Sequence, residues 1–213
     1  MEKHLPYFSF IESIKKNTCP ICILVNKNIN RFFEDLLYEK VNNIDIRKKF
    51  KEYSGFCNYH AHQFLKYNDG IAISLLNKDL LINNINSINN KSYLFKKQKK
   101  KTNCQICELK KEYENHYLSI FSEFWNDEAL KNNFISNSFL CIPHLNMLKS
   151  KFKNIPDWLF DTIRNKYTII LNNVNSYLDS CNFDDNKKNI SLTTDQINSW
   201  KILTNIIYGI EGM

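Results

Sequence analysis

The sequence predicts an all-α protein, and two observations carry that reading. Apolar residues recur at steps of three and four over long stretches, which is the period of a helix with one buried face. Only 4 Gly and 4 Pro punctuate 213 residues, too few turn-formers for many short strands, and no convincing strand emerges. At 43% apolar and 14% aromatic the chain has the material for a packed core rather than a disordered coil. Its length suits one large or two small domains.

Residues 1–18 form a lead-in whose Phe8, Phe10, Ile11 and Ile14 can share a helical face. From Cys22 onward Val25, Ile29, Phe32, Phe33 and Leu36 make one stripe. Asn42-Asn43 interrupts it and caps a second helix from Ile44 to Tyr53, which Ser54-Gly55 ends, with Gly55 as the left-handed cap. Cys57 and His60 open a third helix towards Tyr67. Asn68-Asp69-Gly70 turns the chain, and Ile71 to Ile88 resumes the helical period. Residues 91–103 read as a linker holding the densest charge run, Lys96-Lys97-Gln98-Lys99-Lys100-Lys101.

The second half repeats the first. Cys19 and Cys22 map onto Cys104 and Cys107 at an offset of 85, and Cys57 and His60 onto Cys141 and His144 at an offset of 84. Phe32 pairs with Tyr117 and Leu36 with Phe121 at the first offset; Asn42 pairs with Asn126 and Phe50 with Phe134 at the second. The one-residue change therefore falls between Leu36 and Asn42. Ligands, core face and helix break shared at one spacing indicate an internal duplication. After His144 the helix continues through Leu145, Met147 and Leu148, and Pro156 stops it and starts another at Asp157. That helix carries a stripe from Trp158 to Val174. A polar loop, Ser180 to Ser191, precedes a last helix that opens on the capping box Thr193-Thr194-Asp195-Gln196 and ends at Gly209. The expected organisation is a first helical repeat over 1–90, the basic linker over 91–103, a second repeat over 104–155 and C-terminal helices over 156–213, with eight or nine helices in all.

Two CxxC…CxxH sets use six of the seven cysteines and two of the five histidines. Residues three apart at a helix start can face one ion, and three thiolates with one imidazole suit a closed tetrahedral zinc site. Each ligand pair falls at a predicted helix N-terminus, where the dipole favours the thiolate. The matched gaps, 34 residues in one repeat and 33 in the other, assign Cys19, Cys22, Cys57 and His60 to one zinc, and Cys104, Cys107, Cys141 and His144 to another. Exchanging ligands between repeats costs only about 1 kcal/mol of extra loop closure, so the assignment rests on the matched spacing. Zinc would then clamp the start of the first helix of each repeat to the start of its third. Such binding is worth roughly 10–16 kcal/mol, as much as a whole domain's stability.

Four protein ligands leave no open position for water, which argues against hydrolysis. The chain has no Gly-rich phosphate loop, GxSxG or HExxH. A thioredoxin-like role for Cys-Pro-Ile-Cys lacks its βαβ context and leaves Cys57 and His60 unexplained. Cys₃His can hold an iron–sulfur cluster, but the spacing matches no ferredoxin pattern. His4, His62 and His116, the odd Cys181, and the carboxylates Glu34, Asp35 and Glu39 read as packing or surface residues. A formal charge of +7 is moderate for this length. No apolar run reaches the roughly 18 residues of a membrane span. Met1 to Phe10 lacks a signal-peptide pattern, so a reducing cytoplasmic location is expected.

Cys19-Pro20-Ile21-Cys22, Leu36-Leu37-Tyr38-Glu39-Lys40-Val41-Asn42 and Gly55-Phe56-Cys57-Asn58-Tyr59-His60-Ala61 resemble a prokaryotic family of helical proteins with a duplicated CPxC…GFCxxH unit. The second unit and the closing Ser199-Trp200 also fit, with Gln105 replacing proline and Leu140 replacing phenylalanine. The resemblance implies metal binding and supplies no reaction. The resulting expectation is a non-catalytic protein with two zinc ions, serving as a protein-interaction or adaptor module. Two alternatives stay open. One is nucleic-acid binding through Lys96, Lys97, Lys99, Lys100 and Lys101; the other is a redox or iron–sulfur protein.

Overall fold

The computed structural model describes residues 3–89, 104–181 and 191–211. The Lys96–Lys101 run and residues 182–190 of the polar loop lie outside the described residues. Within them the chain is all-α, as the periodicity predicts. Ten α-helices follow in order: α1 (Leu5–Ile14), α2 (Pro20–Asp35), α3 (Ile44–Glu52), α4 (Asn58–Leu65), α5 (Gly70–Asn89), α6 (Gln105–Phe124), α7 (Glu128–Asn137), α8 (Ile142–Lys151), α9 (Asp157–Cys181) and α10 (Thr194–Tyr208). The number exceeds the expected eight or nine, the lead-in itself forming a full helix with Pro6 in its first turn. No described helix is long and apolar enough to cross a membrane.

Local chemistry accounts for the boundaries. Asn43 caps α3, its Oδ1 accepting from the amides of Asp45 (2.9 Å) and Ile46 (3.3 Å). Asp127 caps α7 by accepting from the Leu130 amide at 3.0 Å, with backbone angles within two degrees of those at Asn43. Thr193 and Gln196 close the reciprocal capping box of α10. Between α2 and α3, Leu36–Lys40 forms a single π turn. The repeat offset changes by one residue at this point. A widened turn absorbs one extra residue without rotating the rest of the helix out of register. In α6 the matching stretch is uninterrupted α-helix.

The chain divides into two compact units whose bounds differ from those of the expected repeats. One comprises residues 1–26 and 114–213, the other residues 27–113. In the first, Phe10 stacks on Phe121 (ring centroids 5.3 Å apart), Phe121 lies against Phe134 (5.2 Å), and Trp158 meets Phe134 edge-on (6.0 Å). Asp127 also accepts from the Tyr7 hydroxyl at 2.7 Å and pairs with Lys3 at 2.8 Å. Those two partners hold its carboxyl down to about 2. In the second unit Phe33, Phe50, Phe56, Phe64 and Tyr67 form an aromatic cluster with neighbouring centroids 5.0–6.4 Å apart. Arg47 and Lys51 of α3 both pair with Asp79 of α5.

The left-handed cap after α3 spans two residues, Ser54 at φ +56° and Gly55 at φ +84°. Only the second needs glycine: a Cβ at Gly55 would lie 2.7 Å from Leu80 Cδ1 as well as in a conformation that L-residues avoid. Replacing Gly55 with alanine should therefore destabilise this unit by about 1–2 kcal/mol, read as a lower denaturant midpoint. An unchanged midpoint would mean that neither the backbone angle nor the Leu80 approach constrains the turn.

Candidate metal centres

All four ligand pairs occupy the same local position. Cys57 and Cys141 are the N-caps of α4 and α8, and neither side chain makes a capping hydrogen bond, which leaves the sulfurs to point elsewhere. Cys19 and Cys104 immediately precede α2 and α6. The second member of each pair lies three residues on, in the first turn. Both atoms thus sit at the positive end of a helix, where anionic sulfur is favoured.

The structure brings these pairs together in a different combination from the one the spacing suggests. Cys19 and Cys22 meet Cys141 and His144, whereas Cys57 and His60 meet Cys104 and Cys107; in each set the ligand atoms lie within 4.8 Å of one another. The expected pinning of each repeat by its own zinc site is corrected accordingly. The start of α2 converges with the start of α8, and the start of α4 with that of α6. Each set falls within one compact unit, the first in residues 1–26 and 114–213 and the second in residues 27–113.

In the first set His144 Nδ1 lies 3.4 Å from Cys19 Sγ, 3.4 Å from Cys22 Sγ and 3.1 Å from Cys141 Sγ; Cys22 and Cys141 sulfurs are 3.6 Å apart. In the second, His60 Nδ1 lies 3.2 Å from Cys57, 3.4 Å from Cys107 and 3.6 Å from Cys104, with Cys57 and Cys107 sulfurs 3.8 Å apart. Tetrahedral bonds of about 2.3 Å to sulfur and about 2.0–2.1 Å to nitrogen put ligand atoms about 3.8 Å (S···S) and about 3.5 Å (S···N) apart. Both sets fit a single four-coordinate ion.

Without a cation the groups of the two sets are pulled in opposite directions. Burial pushes the Cys19 thiol up, but hydrogen bonds from Cys141 and Cys22 and the charge of His144 hold it well below its usual value. Cys22 is driven up, chiefly by its hydrogen bond with Cys141. Burial acts to lower His144, yet the hydrogen bonds with Cys141 and Cys19 raise it to about 12. Crowded sulfurs therefore cannot all ionise on their own, and a cation at their centre is what makes three thiolates compatible. In the second set burial and the Cys104 charge raise Cys107 to about 12. Burial and then the Lys110 charge lower His60 to about 4, keeping its imidazole in the neutral form a metal requires.

Supporting groups that no local sequence pattern marks hold the first set in place. Ser138 donates to the carbonyl of Thr18 at 2.7 Å and Tyr167 to that of Leu140 at 2.6 Å, fixing the residues just before Cys19 and Cys141. Burial keeps the Tyr167 phenol protonated and so a donor. Behind His144, the buried Nε2 faces Glu114 Oε1 at 3.5 Å without a hydrogen bond between them, on the side from which a carboxylate orients a metal-bound imidazole. In the second set Tyr53 donates to Glu108, next to Cys107, at 2.7 Å, and Phe56, next to Cys57, packs in the aromatic cluster. His4, His62, His116 and Cys181 belong to neither set.

Two comparisons with known proteins give matches. The model of a family of unknown function, DUF6062, matches residues 1–184. An uncharacterised 23.9 kDa protein in the xynA 3′ region of Caldicellulosiruptor sp. (strain Rt8B.4) is 27% identical over 209 residues, covering 94% of this chain and all of that protein. No solved structure matches.

The exchanged pairing makes a sharp prediction. A Cys57→Ser/Cys104→Ser double variant damages one set here but would damage both sets under the within-repeat assignment. Elemental analysis of that variant should find one metal ion per chain, not zero.

Proposed function

The chain belongs to the DUF6062 family of unknown function, and we propose that it is a non-catalytic zinc protein whose helices serve as a protein-interaction or adaptor module. The observation that carries this reading is the completeness of each set. Three sulfurs and one imidazole nitrogen lie at tetrahedral spacing, which fills the coordination shell from the chain itself. Soft thiolates with imidazole in that geometry favour zinc. Ligand atoms this close together suit one ion better than a multi-iron cluster, whose ligands are spread over several irons. When bound, zinc would supply charge neutralisation and a cross-link between distant chain segments. The cysteines and histidines would hold it, and Glu114 would orient His144. An origin by internal duplication is supported by the matched order of α2–α3–α4 and α6–α7–α8 and by the matched caps at Asn43 and Asp127.

Surface composition supports interaction with proteins. On α5 Leu81, Ile85 and Ile88 follow at steps of four and three, all exposed, and on α9 Leu171 and Leu178 are exposed two turns apart. An apolar stripe on a helix is what a groove in a partner recognises.

Protein purified without chelator should hold two zinc ions per chain. A strong chelator should abolish most of its helical circular dichroism, and added zinc should restore it. In capture experiments, a partner held by the unaltered chain should be lost from a Leu81→Asp/Ile85→Asp variant that keeps both ions. Fewer than two ions, or a fold indifferent to chelation, would remove the structural-zinc reading.

A further inference from the structure

The two sets share ligand types and spacing but differ in access. Cys19, Cys22, Cys141 and His144 are all buried, the three sulfur residues completely so. In the other set His60 and Cys104 are buried, Cys57 is half-buried and Cys107 is exposed. We propose that Cys107 is an oxidation site, at which peroxide converts the Cys57/His60/Cys104/Cys107 set to a Cys57–Cys107 disulfide and opens that metal centre alone.

The inference rests on the metal reading, because a cation makes every ligand sulfur in both sets a thiolate. Ionisation then no longer distinguishes the six cysteines, and access does. An oxidant as small as hydrogen peroxide reaches Cys107 from solvent, while the sulfurs of the first set are enclosed. The Cys107 thiolate attacks one peroxide oxygen, the O–O bond breaks, and the departing hydroxide takes a proton to become water. Cys107 is left as sulfenic acid. The Cys57 sulfur, 3.8 Å away and itself half-buried, attacks the Cys107 sulfur and displaces hydroxide, which takes a proton to leave as a second water. Two thiolates are oxidised by two electrons, solvent supplies two protons, and one peroxide is reduced to two waters. Two of the four ligands are lost, and a centre with one thiolate and one imidazole left binds far more weakly.

Among the described residues, the position matching Glu114 offers this set no carboxylate. The position 85 residues before Glu114 is Ile29, fully buried and without a polar group. Loss of two sulfurs is therefore not compensated by a carboxylate behind the remaining imidazole. The other exposed cysteine, Cys181, closes α9 and lies in neither set, so a Cys181→Ser background removes its competing reaction.

The experiment treats Cys181→Ser protein of measured metal content with stoichiometric hydrogen peroxide. Released metal is followed with a chromogenic chelator, and each cysteine is assigned by peptide mass mapping. Release of one ion of two, together with a Cys57–Cys107 disulfide and unmodified Cys19, Cys22 and Cys141, is the expected result. In a Cys107→Ser chain oxidation of Cys57 should slow at least tenfold, whatever metal that set retains, while the first set keeps its ion. Two ions at the start followed by equal oxidation of both sets, or by oxidation of neither, would overturn the proposal and leave the metal reading standing. No metal at the start would overturn the metal reading, and this proposal with it.

Discussion

Three sulfur atoms and a ring nitrogen packed within 4.8 Å of one another are the constraint on which each unit depends. Neutral thiols at such distances would be soft, interchangeable core atoms. As thiolates they repel one another and need both a cation and a favourable field. The fold provides the field with two helix N-termini per set, those of α2 and α8 in one and α4 and α6 in the other. Placing cysteine at the N-cap also explains why ordinary capping chemistry is missing there. A serine would satisfy its own helix, whereas sulfur leaves the first turn for the metal, which is a stronger cross-link than any cap.

The pairing of the sets turns on tertiary geometry because the entropy difference is too small to decide it. In the observed arrangement the residues of the second set lie, in chain order, between the two halves of the first. Once the inner set is closed, the outer one need span only the 34 and 33 residues that flank it. That is about double a within-repeat gap, and doubling a loop costs only on the order of 0.6 kcal/mol. A metal worth roughly 10–16 kcal/mol is indifferent to that difference. The decision falls to packing. Ser138 and Tyr167 hold the backbone next to Cys19 and Cys141, and Tyr53 and Phe56 flank Cys107 and Cys57. All but the Phe50–Phe56 contact join residues far apart in the chain, so neither spacing nor composition can express them.

What was legible in the sequence is what depends on neighbours in the chain. The helical period, the caps at Asn43 and Thr193 and the eight candidate ligands all arise from residues within a few positions of one another. The π turn is an intermediate case. Its extra residue shows as the change of offset between Leu36 and Asn42, but an inserted residue can equally lengthen a loop, and only the folded helix shows which occurred. Glu114 was not legible as a support for His144, since a carboxylate two turns beyond Cys107 looks like any solvated helix face. The shared ligand count also concealed the exchange, because each set contains a CxxC and a CxxH under either pairing.

Matched ligand patterns need not give equivalent centres once they meet different surroundings. The first set is covered by α9 through Tyr167, with Glu114 3.5 Å behind its imidazole, and its sulfurs are shielded from solvent. The second keeps the tetrahedral spacing while Cys57 and Cys107 reach towards water. An ion in the first set can leave only when the surrounding core opens, at a cost tied to that unit's global stability. An ion in the second can lose an exposed ligand by local exchange, without disrupting the Phe33–Phe56–Phe64 cluster. Burial, rather than the identity of the ligands, thus distinguishes the two sets.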